Sequence, residues 1–380
     1  MSSAPRPWSD YDHAPFAALP EESWSEALYL DHELIEEQVT RHALELVRAL
    51  GAPVPGHLEL LTDDLALGAG VLDERAAAYH WLWRRLASAG RIVGDVAEEV
   101  TDVEPLERDP AELDRACAAR AERLGPTLAL LEHAVAHYPA WLRGELEGRQ
   151  ILFGREATAL WEAFFSNQNP VTRAVNALGA GVCAREIPGE LEVLEVGGGC
   201  GGGAELLLRA LGERVTRYRF SDVAPVLLAR GRRHLAAACP ERPVDVLRLD
   251  LDQPLAPQGV APASVDLIYA VNTLHAVADL PQSLSALHAA LRPGGHLVLV
   301  ESLLTRGPAS VGLELVFQLA PGFGEVRDAL RPHGGFLPWA VWERALRAAG
   351  FAAPRCVPDP EAASAAYPRW ALGVLLARKD

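Results

Sequence analysis

The chain has 380 residues, of which 49% are hydrophobic and 23% are charged, and its formal net charge is −16. This length and composition predict a globular protein with a sizeable core and room for two domains. The negative charge argues against polyanionic partners, because the phosphates of nucleic acid or of an anionic membrane surface would be repelled.

The first 150 residues predict a helical domain. About 20 residues rich in proline and alanine predict a loose start, and apolar residues at helical spacing then predict a helix from Glu21 to Leu50. The stretch AAYHWLWRRLASAG predicts the next helix, which ends at Gly90, and RIVGDVAEEV predicts a small hairpin after it. This combination suggests a winged-helix-like piece. In an acidic chain we interpret it as a scaffold or a dimer surface rather than a DNA reader.

Residues 110–185 predict three further helical segments. Within them His133 and His137 share one helix face, as two zinc ligands would, but no third ligand stands nearby. A solvated helix face is the alternative interpretation, and we predict no metal site. The segment FGREATALWEAFFSNQNPVTRAVN, residues 153–176, mixes aromatic and polar side chains and predicts a lid over a ligand site.

From Leu191 onward the pattern changes to alternating strands and helices. Strands are predicted at LEVLEV, RYRFSD, VDVLRLD, VDLIYAV, HLVLVES and, after a hairpin return at Asp359-Pro360, at the tail RWALGVLLARK. Amphipathic stretches such as PVLLARGRRHLAAA separate them. We therefore predict an α/β fold with a doubly wound, mostly parallel sheet and one antiparallel strand, in a domain spanning residues 151–380. The long stretch 303–342 predicts a functional lid segment.

The segment LEVLEVGGGCGGG is the strand and Gly-rich turn that open a nucleotide-binding α/β domain. Gly197, Gly199 and Gly202 also satisfy the G-x-G-x-x-G fingerprint of dinucleotide-binding proteins. In domains that bind NAD and in those that bind S-adenosylmethionine, an acidic residue about 20 positions later accepts ribose hydroxyls, and Asp222 is such a residue. The loop alone therefore leaves open S-adenosylmethionine, NAD or a merely structural glycine turn.

The cysteines and the absence of long apolar runs indicate in which cellular compartment the protein is expected. The five cysteines are scattered and form no C-x-x-C pair, which indicates reduced thiols rather than disulfides or zinc ligands. The opening MSSAPRPWSDYDHAPF lacks the basic and apolar parts of a secretion signal, and no run of about 18 apolar residues is present. We expect a cytoplasmic protein.

Five features in order along the chain carry a resemblance to a known family. They are the Glu195-x-Gly-x-Gly-x-Gly loop, Asp222, the Asp250-Leu251-Asp252 run, NTLH and LRPGG. In these features the sequence resembles class I S-adenosylmethionine-dependent methyltransferases, and more narrowly the C-methyltransferase domains of polyketide synthases and their free-standing relatives. The matching stretches cover about half of the chain. The lid region matches more loosely, because Phe164, Phe165 and Asn169-Pro170 stand where the family more often has a tyrosine and a Ser-Pro-like turn.

The resemblance implies which residues bind the cofactor, S-adenosyl-L-methionine, whose product is S-adenosyl-L-homocysteine. Asp222 would accept ribose hydroxyls and Asp250 the adenine amino group. The candidate cofactor-binding residues are Glu195, Gly197, Gly199, Gly201, Asp222, Val223, Asp250, Leu251 and Asn272. The candidate substrate contacts are Phe165, Asn169, Phe323, Arg327, His333 and Trp339.

The resemblance also implies a catalytic pair. The family's catalytic histidine is the last residue of NVLH, matched here by His275 in NTLH, and its partner glutamate is matched by Glu301. A carbon acid must lose a proton before it attacks a methyl donor, and neutral imidazole has a suitable pKa for a general base. A rim histidine bonded to a loop is the structural alternative.

We therefore expect a methyltransferase of secondary metabolism that methylates an activated carbon, such as the α-carbon of a β-keto acyl thioester. Methyl transfer to oxygen or nitrogen, or a cofactor-binding cyclase or carrier-protein-binding protein that transfers no methyl, are the alternatives. The expected partner is a small-molecule or carrier-protein-tethered acyl substrate. We expect no nucleic acid or membrane partner, and a monomer or homodimer.

Overall fold

The structure is a computed structural model that describes residues 7–51, 63–93, 102–103, 108–305, 309–320, 322–323, 328–331 and 335–380. These residues form two compact units. The helical unit comprises the described residues of 1–11, 26–164 and 306–324, and the sheet unit comprises those of 12–25, 165–305 and 325–380. The domain boundary predicted at residue 150 stays a prediction. One boundary between the two compact units lies between Phe164 and Phe165.

The helical unit begins with seven α-helices in its described part. They are α1 (Glu26–Ala49), α2 (Asp63–Gly68), α3 (Ala76–Ser88), α4 (Pro110–Ala118), α5 (Ala121–Leu142), α6 (Gly148–Phe153) and α7 (Ala157–Phe164). Short 3-10 helices add Trp8–Asp10 and Asp73–Arg75. After α3, β1 (Ile92–Val93) pairs antiparallel with β2 (Asp102–Val103). The first strand of the predicted hairpin corresponds to β1. The rest of the predicted hairpin, residues 94–100, lies outside the described residues.

The first predicted helix is shorter than its periodicity indicates. Residues Glu21–Ser23 form a separate 3-10 helix, and Trp24 is extended (φ −147°, ψ 103°), so α1 begins at Glu26. The Trp24 ring stacks on Phe16 with centroids 4.0 Å apart. Packing of Trp24 on the buried Phe16 favours the extended backbone that breaks the helix, so the prediction of one helix from Glu21 was wrong.

The prediction of three helical segments in 110–185 was also wrong, because α4 to α7 and α8 (Pro170–Glu186) occupy this stretch. Gly144 turns the chain after α5 at φ +78°, and α6 ends at Gly154. Asn169 then caps α8, its side chain accepting a hydrogen bond from the Val171 N–H at 3.2 Å. Turn and cap residues therefore divide one apolar periodicity into five helices.

The sheet unit has seven strands within the described residues. They are β3 (Leu191–Glu195), β4 (Val215–Asp222), β5 (Asp245–Arg248), β6 (Val265–Val271), β7 (Leu291–Ser302), β8 (Ala352–Val357) and β9 (Leu372–Arg378). The intervening α-helices are α9 (Gly202–Leu211), α10 (Pro225–Ala238), α11 (Leu280–Ala290), α13 (Trp339–Ala348) and α14 (Pro360–Ala366), and α12 (Glu314–Phe317) lies in the helical unit. Further 3-10 helices span Ala14–Phe16, Gly212–Arg214, Ala256–Gln258 and Leu274–Ala276.

The strand order is β5-β4-β3-β6-β7-β9-β8, with only β9 antiparallel to its neighbours. The predicted doubly wound sheet with one antiparallel strand is confirmed. Two details differ from the prediction. The β8 strand was not predicted, and the return at Asp359 contains α14 rather than a tight hairpin, because the Asp359 side chain caps a helix by accepting from the Ala362 N–H at 2.9 Å.

Apolar strand residues and the helices of one face form the core of the sheet unit. Leu194, Ile268 and Leu299 are fully buried and pack in one cluster with residues of α11 and α13, including Trp342. Burial on both faces explains why the strands are almost continuously apolar. None of the helices in the described ranges is long and apolar enough to cross a membrane.

Candidate active site

The glycine loop follows β3 directly and ends at the first turn of α9. Gly197, Gly199 and Gly201 have φ values of +64°, +58° and +88°, a region that side chains disfavour. At Gly199 a Cβ atom would meet no heavy atom within 4 Å. At Gly198, in contrast, a Cβ would lie 2.2 Å from the Phe220 ring. The loop is thus closely packed at Gly198 and open at Gly199, as a cradle for a ligand would be.

Asp222 ends β4 and holds the glycine loop. Its Oδ2 accepts a hydrogen bond from the Gly199 N–H at 3.0 Å, and its Oδ1 accepts one from the Ala224 N–H at 2.8 Å. Burial raises the pKa of this carboxyl, and the backbone N–H groups act in the opposite direction. The next residue, Val223, is half-exposed. Each carboxylate oxygen retains capacity for a further donor.

Glu195 lies at the end of β3 beneath this loop. Its side chain is buried, and Oε2 accepts a hydrogen bond from the Tyr218 hydroxyl at 3.0 Å. Burial raises the pKa of Glu195 to about 8, against the opposing effect of the Tyr218 hydrogen bond. A cationic group brought next to this side chain would favour its ionised form.

Asp250 and Leu251 lie just beyond β5 in a turn of their own. The Asp250 N–H donates to Oε1 of Gln258 at 2.8 Å, and Oδ1 of Asp250 accepts from the Asp252 N–H at 3.0 Å. The Leu251 carbonyl accepts from the Ser283 hydroxyl at 3.1 Å. These bonds fix the turn beside the carboxyl end of β4, where a doubly wound sheet binds its ligands.

His275 and Glu301 form a buried pair. Nδ1 of His275 lies 2.7 Å from Oε2 of Glu301, and both side chains are buried. Oε1 of Glu301 accepts hydrogen bonds from the N–H groups of Thr273 at 3.2 Å and Leu274 at 2.8 Å. A carboxylate only accepts hydrogen bonds, so in the neutral imidazole the tautomer that fits this contact has its proton on Nδ1 and its lone pair on Nε2. This tautomer suits a general base.

The turn that carries His275 begins at a strained residue. Asn272 has φ +45°, an uncommon value for a residue other than glycine. Its Oδ1 accepts hydrogen bonds from the Ser302 N–H at 3.0 Å and hydroxyl at 3.2 Å, which tie the end of β6 to the end of β7. Asn272, assigned from the sequence to cofactor binding, thus uses its side-chain oxygen within the protein.

A buried polar network joins the segment before α8 to the start of α9. Asn167 Nδ2 donates to the Gly202 carbonyl at 3.0 Å and to Oε2 of Glu205 at 2.9 Å, and its Oδ1 accepts from Asn176 Nδ2 at 2.9 Å. His234 lies 2.8 Å from the same Glu205 oxygen. Sequence analysis did not single out Asn167. Its position in a polar run between aromatic residues and a proline was the only available signal.

The candidate substrate contacts have different settings. In the sheet unit Phe165 is half-buried, Asn169 is a buried helix cap and Trp339 opens α13, whereas the buried Phe323 belongs to the helical unit. Arg327 and His333 lie outside the described residues. The Phe336 ring, which belongs to the predicted lid segment 303–342, packs against His275 with centroids 4.5 Å apart.

The histidine pair on α5 is engaged with the backbone. His133 Nε2 lies 2.9 Å from the Ile151 carbonyl, and His137 Nδ1 lies 2.8 Å from the His133 carbonyl. Among the described residues there is no group of three or more side chains that would hold a metal ion.

Comparison with known sequences identifies a domain in the sheet unit. Residues 194–297 match a family described as a methyltransferase domain. A highly reducing polyketide synthase of Gibberella zeae is 28% identical over 241 residues, which cover 61% of this chain and 9% of the synthase. A lovastatin diketide synthase of Monascus pilosus is 27% identical over 355 residues, which cover 90% of this chain and 13% of the synthase. The chain thus spans about a tenth of the length of these relatives.

Solved structures are similar over nearly the whole chain. The carbon methyltransferase of CurJ has a TM-score of 0.72 at 23% identity, covering 96% of this chain and 95% of its own. The C-methyltransferase domain of the citrinin polyketide synthase has a TM-score of 0.70 at 17% identity, covering 99% of both chains. The trans-methyltransferase CalH, solved with S-adenosylhomocysteine, has a TM-score of 0.65 at 19% identity, covering 95% of this chain and 92% of its own. At these identities the likeness shows the fold.

Proposed function

Because residues 194–297 match a methyltransferase domain and the chain has a fold similar to that of the CurJ carbon methyltransferase, we propose that this protein methylates an activated carbon of a polyketide-type acyl substrate. The proposed acceptor is the α-carbon of a β-keto acyl thioester, free or tethered to a carrier protein. The polyketide synthases among its relatives support this substrate class. The observation that carries the proposal is the 2.7 Å contact between His275 and Glu301.

The residues at the carboxyl ends of the strands fit S-adenosylmethionine. The opening at Gly199 leaves room where a side chain would stand, and the Asp222 carboxylate beside it has acceptor capacity for hydroxyls. When bound, the cofactor supplies a sulfonium methyl group. We assign cofactor binding to the loop glycines Gly197, Gly199 and Gly201 and to Glu195, Asp222, Val223, Asp250, Leu251 and Asn272. Asn272 would act indirectly, because its bond to Ser302 fixes the turn at the end of β6.

His275 and Glu301 supply the proton transfer. Nε2 of His275 accepts the proton from the carbon between two carbonyl groups, and the Glu301 carboxylate stabilises the imidazolium that forms. The backbone N–H bonds of Thr273 and Leu274 hold Glu301 in place for this role. General-base catalysis of this kind contributes about 10²- to 10⁴-fold to a rate.

The proposed acceptor site consists of aromatic and polar side chains. We assign Phe165 and Asn169, which precede α8, and Trp339 at the start of α13 to acceptor contacts. Phe323, Arg327 and His333 are proposed for the same role from the sequence alone. The predicted lid 303–342 would supply several of these contacts.

The test uses S-adenosylmethionine with an isotopically labelled methyl group and a synthetic β-keto acyl thioester. We expect the label on carbon in the product, as read by mass spectrometry and NMR spectroscopy. His275→Ala is expected to lower the rate by about 10²-fold or more while cofactor binding persists. His137→Ala on α5 serves as the control. Label on oxygen or nitrogen, no transfer to any acyl acceptor, or an unchanged rate in His275→Ala would contradict the proposal.

A further inference from the structure

Besides Glu301, a second buried side chain bonds to the turn that carries His275. The side chain of Arg331 is fully buried. Its Nη1 donates to the His275 carbonyl oxygen at 2.8 Å, and its Nη2 donates to the Ala278 carbonyl oxygen at 3.4 Å. One guanidinium thus spans the turn from the candidate base to the residue three positions later.

Asp328 holds this guanidinium. Its carboxylate forms a close ion pair with Arg331 Nη2, and its side chain is almost fully buried. Oδ2 of Asp328 also accepts a hydrogen bond from the Leu280 N–H at 3.0 Å, at the first residue of α11. The pair therefore bonds to the turn at His275, at Ala278 and at Leu280.

The two sides of the turn are held by different partners. Glu301 orients the imidazole ring and accepts from the N–H groups before it, and a carboxylate has no donor to offer the carbonyl of His275. That carbonyl is held by Arg331. Fixing the backbone on both sides of one residue restricts the position of its Cα atom and of its ring. A displacement of about 1 Å of a reacting group lowers a rate by about 10²-fold.

The guanidinium is suited to this position by its shape. A planar fork with five N–H donors reaches two carbonyls and a carboxylate at once. A lysine ammonium is a single point with a stronger demand for hydration, so it would replace only part of these bonds.

We propose that Arg331, held by Asp328, is a positioning residue that fixes the backbone of His275 for proton transfer. This inference rests on the proposed function, because it assigns a role to His275 as the base. Arg331 acts through His275 and need not touch the acceptor.

The test is a double-mutant cycle between Arg331 and His275. We expect Arg331→Met to lower kcat by about 10- to 100-fold with KM and the cofactor Kd changed by less than about 3-fold, since the loss is one of position. Arg331→Lys should recover part of the rate. In the His275→Ala background, Arg331→Met should leave the residual rate unchanged, because a positioning residue has no effect without the group that it positions.

The control is Arg355→Met, which removes an exposed arginine of β8 that pairs with Glu186 at 2.7 Å. Thermal unfolding of each variant verifies folding, and Arg331→Lys carries the test if Arg331→Met does not fold. A wild-type rate in a folded Arg331 variant, or an equal loss in both backgrounds, would overturn the inference while leaving the proposed function intact. A wild-type rate in His275→Ala would instead overturn the proposed function.

Discussion

Oε2 of Glu301 lies 2.7 Å from Nδ1 of His275, although 26 residues separate them in the chain. His275 follows β6 and Glu301 lies near the end of β7, and these two strands are parallel neighbours, with Val271 paired to Val300. Both residues therefore emerge at one edge of the sheet, where buried N–H groups hold the carboxylate.

This relationship predicts the effect of Glu301→Gln. Glutamine keeps the shape and one acceptor oxygen but lacks the negative charge that stabilises an imidazolium, so methyl transfer should fall by about 10²- to 10⁴-fold. Single-turnover rates at saturating cofactor measure this, with Glu361→Gln on the exposed start of α14 as the control. An unchanged rate would show that the carboxylate charge is not used.

The open position in the glycine loop predicts a selective loss of cofactor affinity. Gly199 and Gly189 both have positive φ, at +58° and +80°, and a Cβ at either would meet nothing within 4 Å. Alanine at either position should cost about 1–2 kcal/mol of backbone strain. Only Gly199→Ala should weaken S-adenosylhomocysteine binding, by about 10-fold or more, in calorimetric titration. Equal affinities in the two variants would place the cofactor elsewhere.

The raised pKa of Glu195 predicts a pH dependence of stability. The unfolded carboxyl has a pKa of 4.5 and the folded one a pKa of about 8, so the neutral buried acid contributes its full stability below about pH 4.5. That contribution is lost as the pH rises towards and through 8. Glutamine resembles the neutral acid and still accepts the Tyr218 hydroxyl, so the Tm of Glu195→Gln relative to the wild type should rise across this window.

The matched variant for this prediction is Glu190→Gln, an exposed position one residue before β3. Its Tm should follow that of the wild type from pH 4.5 to 8. A constant difference between Glu195→Gln and the wild type across the same window would contradict the assigned pKa.

The network around Asn167 predicts a loss of stability on its removal. Asn167→Ala leaves the Gly202 carbonyl and Asn176 Nδ2 without these hydrogen bonds in a buried region. The free energy of unfolding should fall by about 1–3 kcal/mol, the cost of buried polar groups that lose their partners. Urea denaturation compares it with Gln168→Ala, the exposed neighbour, which should differ little from the wild type. Equal unfolding midpoints would show that water replaces the lost bonds.

Much of the fold could be predicted from the sequence because the signals are local. Continuous apolar runs predicted β3, β4, β6 and the later half of β7, and the amphipathic stretch Pro225–Ala238 is α10 as the structure has it. The β8 strand was not predicted, because its burial is irregular and it pairs with β9 at the edge of the sheet. Helix bounds before Leu191 were least accurate, since caps and tertiary aromatic contacts such as Phe16 with Trp24 set them.

The sequence by itself determined which residue types follow each strand, because strand, loop and helix alternate within short stretches and carboxylates and a histidine stand at the strand ends. The tertiary structure alone decided which side chains bond to one another. Arg331 reaches His275 across 56 residues and Asn167 reaches Glu205 across 38, and no local pattern encodes these separations. Such pairs depend on the order of strands in the sheet and on the way loops pack over its edge, where a buried polar group is stable only if the folded chain brings it a partner.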